Sequence, residues 1–185
     1  MKKIYIVLSQ SYSMLAKTIK LFTKDKYSHI SISFDEDCTN MYSIGRKYKY
    51  WPFVGKYMNE SIYNGLYSIS PRAEILIYEL SISDEQYENI KRLLDEYGIS
   101  CKGYNFLGLV LAIFNKKINR RKYYCSEFIY KILSDDSVML FGKTKKIVKP
   151  MDFEKIENLK FVYEGKIIDY KLKKLPTLNL LDKVI

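Results

Sequence analysis

Apolar and polar positions follow two rhythms along the chain, and the rhythm locates the elements. Lys3–Leu8 (KIYIVL) is a short apolar run that reads as a strand, with a polar turn at Ser9–Ser13 behind it. Met14–Phe22 (MLAKTIKLF) carries Leu15, Ile19 and Leu21–Phe22 at helical spacing. In YSHISISF the period drops to two: Tyr27, His29, Ser31 and Ser33 point one way, and Ile30, Ile32 and Phe34 the other. The DEDCTN cluster is a turn and MYSIG a returning strand, which predicts a β-hairpin over Ser28–Gly45. Arg46–Ser70 is aromatic and irregular, broken at Pro52 and Gly55, and reads as a long loop of the kind that walls a site.

Ala73–Leu80 (AEILIYEL) is the clearest strand. SDEQYENIKRLLDEYG is the clearest helix: Ser83 is its N-cap, Gln86 completes a capping box, and Gly98 marks its stop. A second helix is expected over Tyr104–Phe114, then the basic loop NKKINRRK, then a helix from Cys125 to about Leu133. Past Pro150 come MDFEKIENL and KFVYEGKIIDYKL, read as one or two strands. No repeat or linker interrupts the pattern. The expected organisation is a single α+β domain over residues 1–185.

Composition narrows the class. With 48% apolar and 28% charged residues over 185 positions, the chain has ordinary globular content. Its net charge of +10 favours anionic surfaces, either membrane headgroups or acidic polymer. No nucleic-acid motif accompanies the charge, so specific nucleic-acid binding is not expected. The apolar run near the N-terminus is shorter than the ~7–15 residues of a secretory signal. The longest apolar run, Phe106–Phe114, is far below the ~20 residues of a membrane span. Three cysteines without paired spacing suggest reduced thiols in a cytoplasm. Without CxxC, and with His29 as the lone histidine, the chain offers no zinc site of the usual Cys/His kind, and no cofactor is implied.

The chemistry converges on KYYCSEFIYKIL. On a helix opening at Cys125, Phe128, Ile129, Ile132 and Leu133 share its face, so the thiol points inward. One reading is a small buried hydrophobe. The other is a nucleophile, because the first turn of a helix has unpaired N–H groups and a dipole that favours an anion. The Cys125 N–H would then serve as an oxyanion donor. Such a cysteine needs a base, and only His29 is available. Hairpin pairing sets Tyr42–Ile44 opposite His29, with Ser43 the polar candidate for orienting it and Asn40 next.

YSHISISFD, YNFLGLV, YYCSEFIYKIL and VKPMDF, in that order, resemble the permuted branch of the NlpC-type papain-like cysteine peptidases, the YiiX-like group, over about Lys3–Tyr170. The resemblance implies a small antiparallel sheet packed against a helix whose N-terminus carries the nucleophile. It implies Cys125 as nucleophile, His29 as general base and a polar third residue on the strand after the histidine. MYSIG has no Asn, Gln, Glu or His, so Ser43 stands in that place. Gln10, Trp51 and Tyr124 are candidates for oxyanion or substrate contacts. The expected activity is that of a cysteine hydrolase cleaving a peptide or cell-wall peptide amide through a thioester. Lipid acyl chemistry of the lecithin:retinol acyltransferase type is the related alternative, and a catalytically silent binding module is the third.

Overall fold

The computed structural model describes residues 1–10, 25–46, 55–65, 67, 68, 70, 72–100, 124–135, 138 and 148–174. Along them run β1 (Lys2–Gln10), β2 (His29–Ser33), β3 (Met41–Arg46), β4 (Gly55–Glu60), β5 (Glu74–Ile82), α1 (Asp84–Ser100), α2 (Cys125–Asp135), a 3-10 turn (Pro150–Lys155), β6 (Lys160–Lys166) and α3 (Ile167–Lys174). The strands form one sheet in the order β4-β3-β2-β1-β5-β6, and every neighbouring pair is antiparallel. The molecule is α+β, as the patterning implies. No helix among the described residues is long and apolar enough to cross a membrane. The predicted helices at Met14–Phe22 and Tyr104–Phe114 lie outside the described residues.

The period of two decides which side chains face which layer. From β1, Ile4, Ile6 and Leu8 join Ile30, Ile32, Ile44 and Leu76 under α1 and α2. Tyr5 and Val7 point to the other face, where they meet Met41, Ile75, Ile77 and, from α3, Ile167 and Tyr170. Both faces of the central strands are therefore covered. An isolated helix of α2's length is marginal in water. Tertiary burial holds it instead: Phe128, Ile129, Ile132 and Leu133 are all at or below 1% exposure, and each contributes about 1.5–3 kcal/mol. The position of Cys125, at the start of α2, follows from that packing.

Three expectations change. Arg46–Ser70 is not irregular throughout, because Gly55–Glu60 is a strand paired with β3 from Met41 opposite Glu60 to Arg46 opposite Gly55. What holds it is long-range: Tyr57 meets Phe128 edge-on at 6.0 Å between centroids and stacks on Tyr42 at 6.2 Å. Gly98 does not stop α1, which runs on to Ser100; an interior glycine costs a helix only about 1 kcal/mol against alanine. Its start is as predicted, with the Gln86 N–H donating to Ser83 Oγ at 3.0 Å and the Ser83 N–H to Gln86 Oε1 at 2.9 Å. The last segment, KIIDYKL, is a helix after β6 rather than more strand. Ile167 and Tyr170, three apart, are fully buried, while Ile168 and Leu172 face outward.

The predicted hairpin is present as β2 and β3, with Ile32 opposite Tyr42 and Ser33 opposite Met41. Asp35 organises its turn, where Oδ1 accepts the Thr39 N–H at 2.8 Å and Oδ2 the Asn40 N–H at 3.2 Å. Asn40 belongs to this turn, at the opposite end of β2 from His29. Continuing the register places Gly45, and not Ser43, across from His29.

Candidate active site

The start of α2 is clasped from both sides of the cysteine. Its first helical hydrogen bond runs from the Phe128 N–H to the Tyr124 carbonyl at 3.0 Å, so the N–H groups of Cys125 and Ser126 have no partner within the helix. Ser126, buried, donates its hydroxyl to the Val148 carbonyl at 2.8 Å. Tyr124 turns its phenol to the backbone of the same residue; burial first, then the Glu127 charge, push that phenol above its usual pKa. The next residue, Lys149, ties the clasp to the segment entering β2 through an ion pair with Asp25 at 3.3 Å. Its N–H donates to Asp152 Oδ2 at 2.9 Å, and Phe153 is fully buried in the core. The VKPMDF motif is thus a strut between the helix carrying the thiol and the strand carrying the histidine.

His29 opens β2. Its Nε2 lies 3.0 Å from Glu60 Oε2, and Ser31 donates to that same carboxylate oxygen at 3.1 Å. Ser31 Oγ also lies 3.4 Å from that nitrogen, and Cys125 is near enough to the ring to help raise its pKa. Burial works against a charged imidazole here, but the Glu60 carboxylate and the bonding to Cys125 outweigh it and hold His29 well above its usual value. Burial likewise works against the Glu60 anion; the charge of His29 and hydrogen bonds from His29 and Ser31, with the nearby Ser43 hydroxyl adding to them, outweigh it, and Glu60 stays below the usual carboxylate range. Each partner thus favours the charged form of the other.

Ser43 therefore stands beside the orienting group and is not that group. Its hydroxyl is buried, close enough to help lower Glu60, yet makes no hydrogen bond of ordinary geometry. The strand MYSIG contributes space. A Cβ on Gly45 would lie 3.1 Å from Met58 Sδ, 3.2 Å from Glu60 Oε1 and 3.9 Å from His29 Cε1. Glycine at this position lets a carboxylate from the next strand reach the histidine. Gly45→Ala is expected to cost about 1–3 kcal/mol by overpacking, read by denaturant unfolding. It should also slow alkylation of Cys125, because the added methyl presses on Glu60 Oε1 and so disturbs the carboxylate that holds His29.

Of the candidates named from sequence, Cys125 and His29 are brought together. Gln10 closes β1 and is buried, one residue beyond Ser9, the ladder partner of His29. Tyr124 is committed to Val148, so its place is structural support at the cysteine. Trp51 lies outside the described residues. Glu60 is the residue that sequence reasoning missed. Its signal was the alternation after Gly55, with Lys56, Met58 and Glu60 against Tyr57 and Asn59, which reads as a strand once Tyr57 is given an apolar partner.

This arrangement belongs to an α+β chain whose single described sheet is wholly antiparallel, with a cysteine at a helix start facing a strand histidine. The fold is similar to that of the crystal structure of the metalloprotein YiiX from Escherichia coli O157:H7, with TM-score 0.61 and 16% sequence identity over 89% of this chain and 98% of that one. The protein has a YiiX-like fold. No family model and no curated protein matches it. Among the described residues, no group of three or more His, Cys, Asp or Glu side chains is placed to hold an ion. Instead His29 stands between Cys125 and Glu60, with Nε2 already occupied by the carboxylate.

Proposed function

We propose that the protein is a cysteine-dependent acyl hydrolase of the permuted papain-like kind, cleaving an amide through a thioester on Cys125. The observation that carries this reading is one imidazole shared between a helix-start thiol and a buried carboxylate. Cys125 Sγ attacks the substrate carbonyl, its proton having passed to His29. The oxyanion that forms faces the Cys125 N–H, which has no helical partner. Collapse forms the thioester, breaks the C–N bond and carries the His29 proton to the leaving amine. Water then attacks the thioester, His29 takes its proton, and the carboxylic acid departs as the thiol is restored. Glu60 keeps the ring in one tautomer and balances its charge throughout.

The test uses p-nitrophenyl acetate as an activated acyl donor. A burst of p-nitrophenol with one acetyl group mapped to the Cys125 peptide is expected, and Cys125→Ala should remove both. Acetylation confined to lysines, with no burst, would sink the hydrolase reading and leave a silent binding module.

A second reading keeps the thioester and changes the acyl source to a lipid ester. It is favoured by α3, where Ile168 and Leu172 are 39% and 59% exposed beside Lys171 and Lys173, a surface suited to anionic headgroups. Faster cleavage of a short-chain phospholipid ester than of a peptide amide would favour this version.

A further inference from the structure

We infer that Tyr67 is a further positioning residue of the site, acting through Ser9 on the orientation of the His29 ring; this rests on the acyl-transfer reading above. Tyr67 lies between β4 and β5, outside every strand ladder, and is nonetheless only 4% exposed. Its phenol oxygen and Ser9 Oγ are 2.9 Å apart, a buried polar pair between residues far apart in the chain. Ser9, itself 2% exposed, is paired directly with His29 across the β1–β2 ladder. Opposed side chains in such a ladder stand side by side on one face, with Cβ atoms about 4.5–5.5 Å apart. The backbone at this end of the strands is tied as well, because the Ser28 N–H donates to the Ser9 carbonyl at 3.2 Å.

The imidazole is thus bounded on two sides by different devices. Toward β3, Gly45 leaves room for Glu60. Toward β1 its ladder neighbour is Ser9, and a lone serine hydroxyl rotates freely. Tyr67 removes that freedom by binding the hydroxyl from the far side. The phenol also lies within electrostatic range of the reacting groups: burial, then the Glu60 charge, with Cys125 adding to it, hold its ionisation well above the usual value. It therefore stays neutral at any working pH. Packing alone would need only the ring; the hydroxyl is what the site uses.

Tyr67→Phe keeps the ring and removes the bond. Ser9→Ala removes the same bond without touching the ring, which covers a folding failure of the first variant. The measurement is the acylation rate with p-nitrophenyl acetate across pH, with His29→Ala as the reference. Each variant is expected to lose about three- to tenfold in rate, the scale of one hydrogen bond. Each should also shift the alkaline limb to lower pH, because a looser imidazole pairs less well with Glu60. If both variants reproduce the wild-type rate and limb while His29→Ala is slow, the inference about Tyr67 fails and the site reading stands. If His29→Ala itself matches the wild type, the site reading fails and the Tyr67 inference falls with it.

Discussion

His29→Ala is expected to slow acylation of Cys125 by about two to four orders of magnitude, the usual worth of a positioned acid–base group, while the protein stays folded. The fold should survive because both apolar clusters are untouched, although leaving the Glu60 carboxylate without its charge partner costs about 3 kcal/mol. The chemistry should not survive, because every proton in the proposed cycle passes through this ring and it is the chain's one histidine. Specificity of labelling separates this from a general effect on thiols. Cys38 is fully buried among the apolar side chains of the second face, and burial first, then the charges of Asp35 and Asp37, push its thiol far up. Iodoacetamide at neutral pH should therefore modify Cys125 in the wild type and leave Cys38 untouched, as read by peptide mapping. A rate within threefold of wild type for His29→Ala would remove the histidine from the mechanism.

Why the thiol and histidine were readable in advance, and Glu60 was not, has a physical basis. Cys125 announces itself locally: the spacing to Phe128, Ile129, Ile132 and Leu133 defines both a helix and the inward face. His29 sits in a strand whose alternation is strict, so its face is legible too, with Ile30 and Ile32 buried under the helices on the other side. Glu60 depends on a contact that no local window contains. Its strand is at the sheet's edge, and Tyr57 finds its partner about seventy residues away in Phe128. The same limit explains α3, where KIIDYKL alternates well enough for a strand and tertiary packing of Ile167 and Tyr170 selects the helix.

Gly45 carries the more general point. At the end of MYSIG it reads as an ordinary strand residue, and the pattern points to Ser43 on that same strand as the orienting residue. The space it leaves moves the orienting residue one strand further out. A missing side chain is part of the site's geometry here as much as the side chains that are present. Sequence patterning registers a glycine as a breaker and cannot say what fills the vacated volume.

Glu60→Gln tests that geometry through pH. The wild-type pair has His29 raised from 6.5 and Glu60 lowered from 4.5. Stability from the lowered carboxylate is fully present above pH 4.5 and is lost as pH falls through its folded value. Stability from the raised imidazole is fully present below pH 6.5 and is lost as pH rises through its folded value. The excess stability of wild type over Glu60→Gln should therefore be greatest between about pH 4.5 and 6.5 and shrink on either side. With side-chain exposures of 22% for His29 and 12% for Glu60, its size should fall toward the lower end of the ~3–5 kcal/mol seen when one partner of a buried pair is removed. Reactivity should follow the same logic. Without the carboxylate, burial dominates at His29 and its imidazolium is lost at lower pH, so the alkaline limb of Cys125 acylation moves down while its height falls. Equal stability curves for the two proteins from pH 4 to 9, or an unmoved alkaline limb, would mean that Glu60 neither balances nor orients the ring and that the third place in the site belongs to another group.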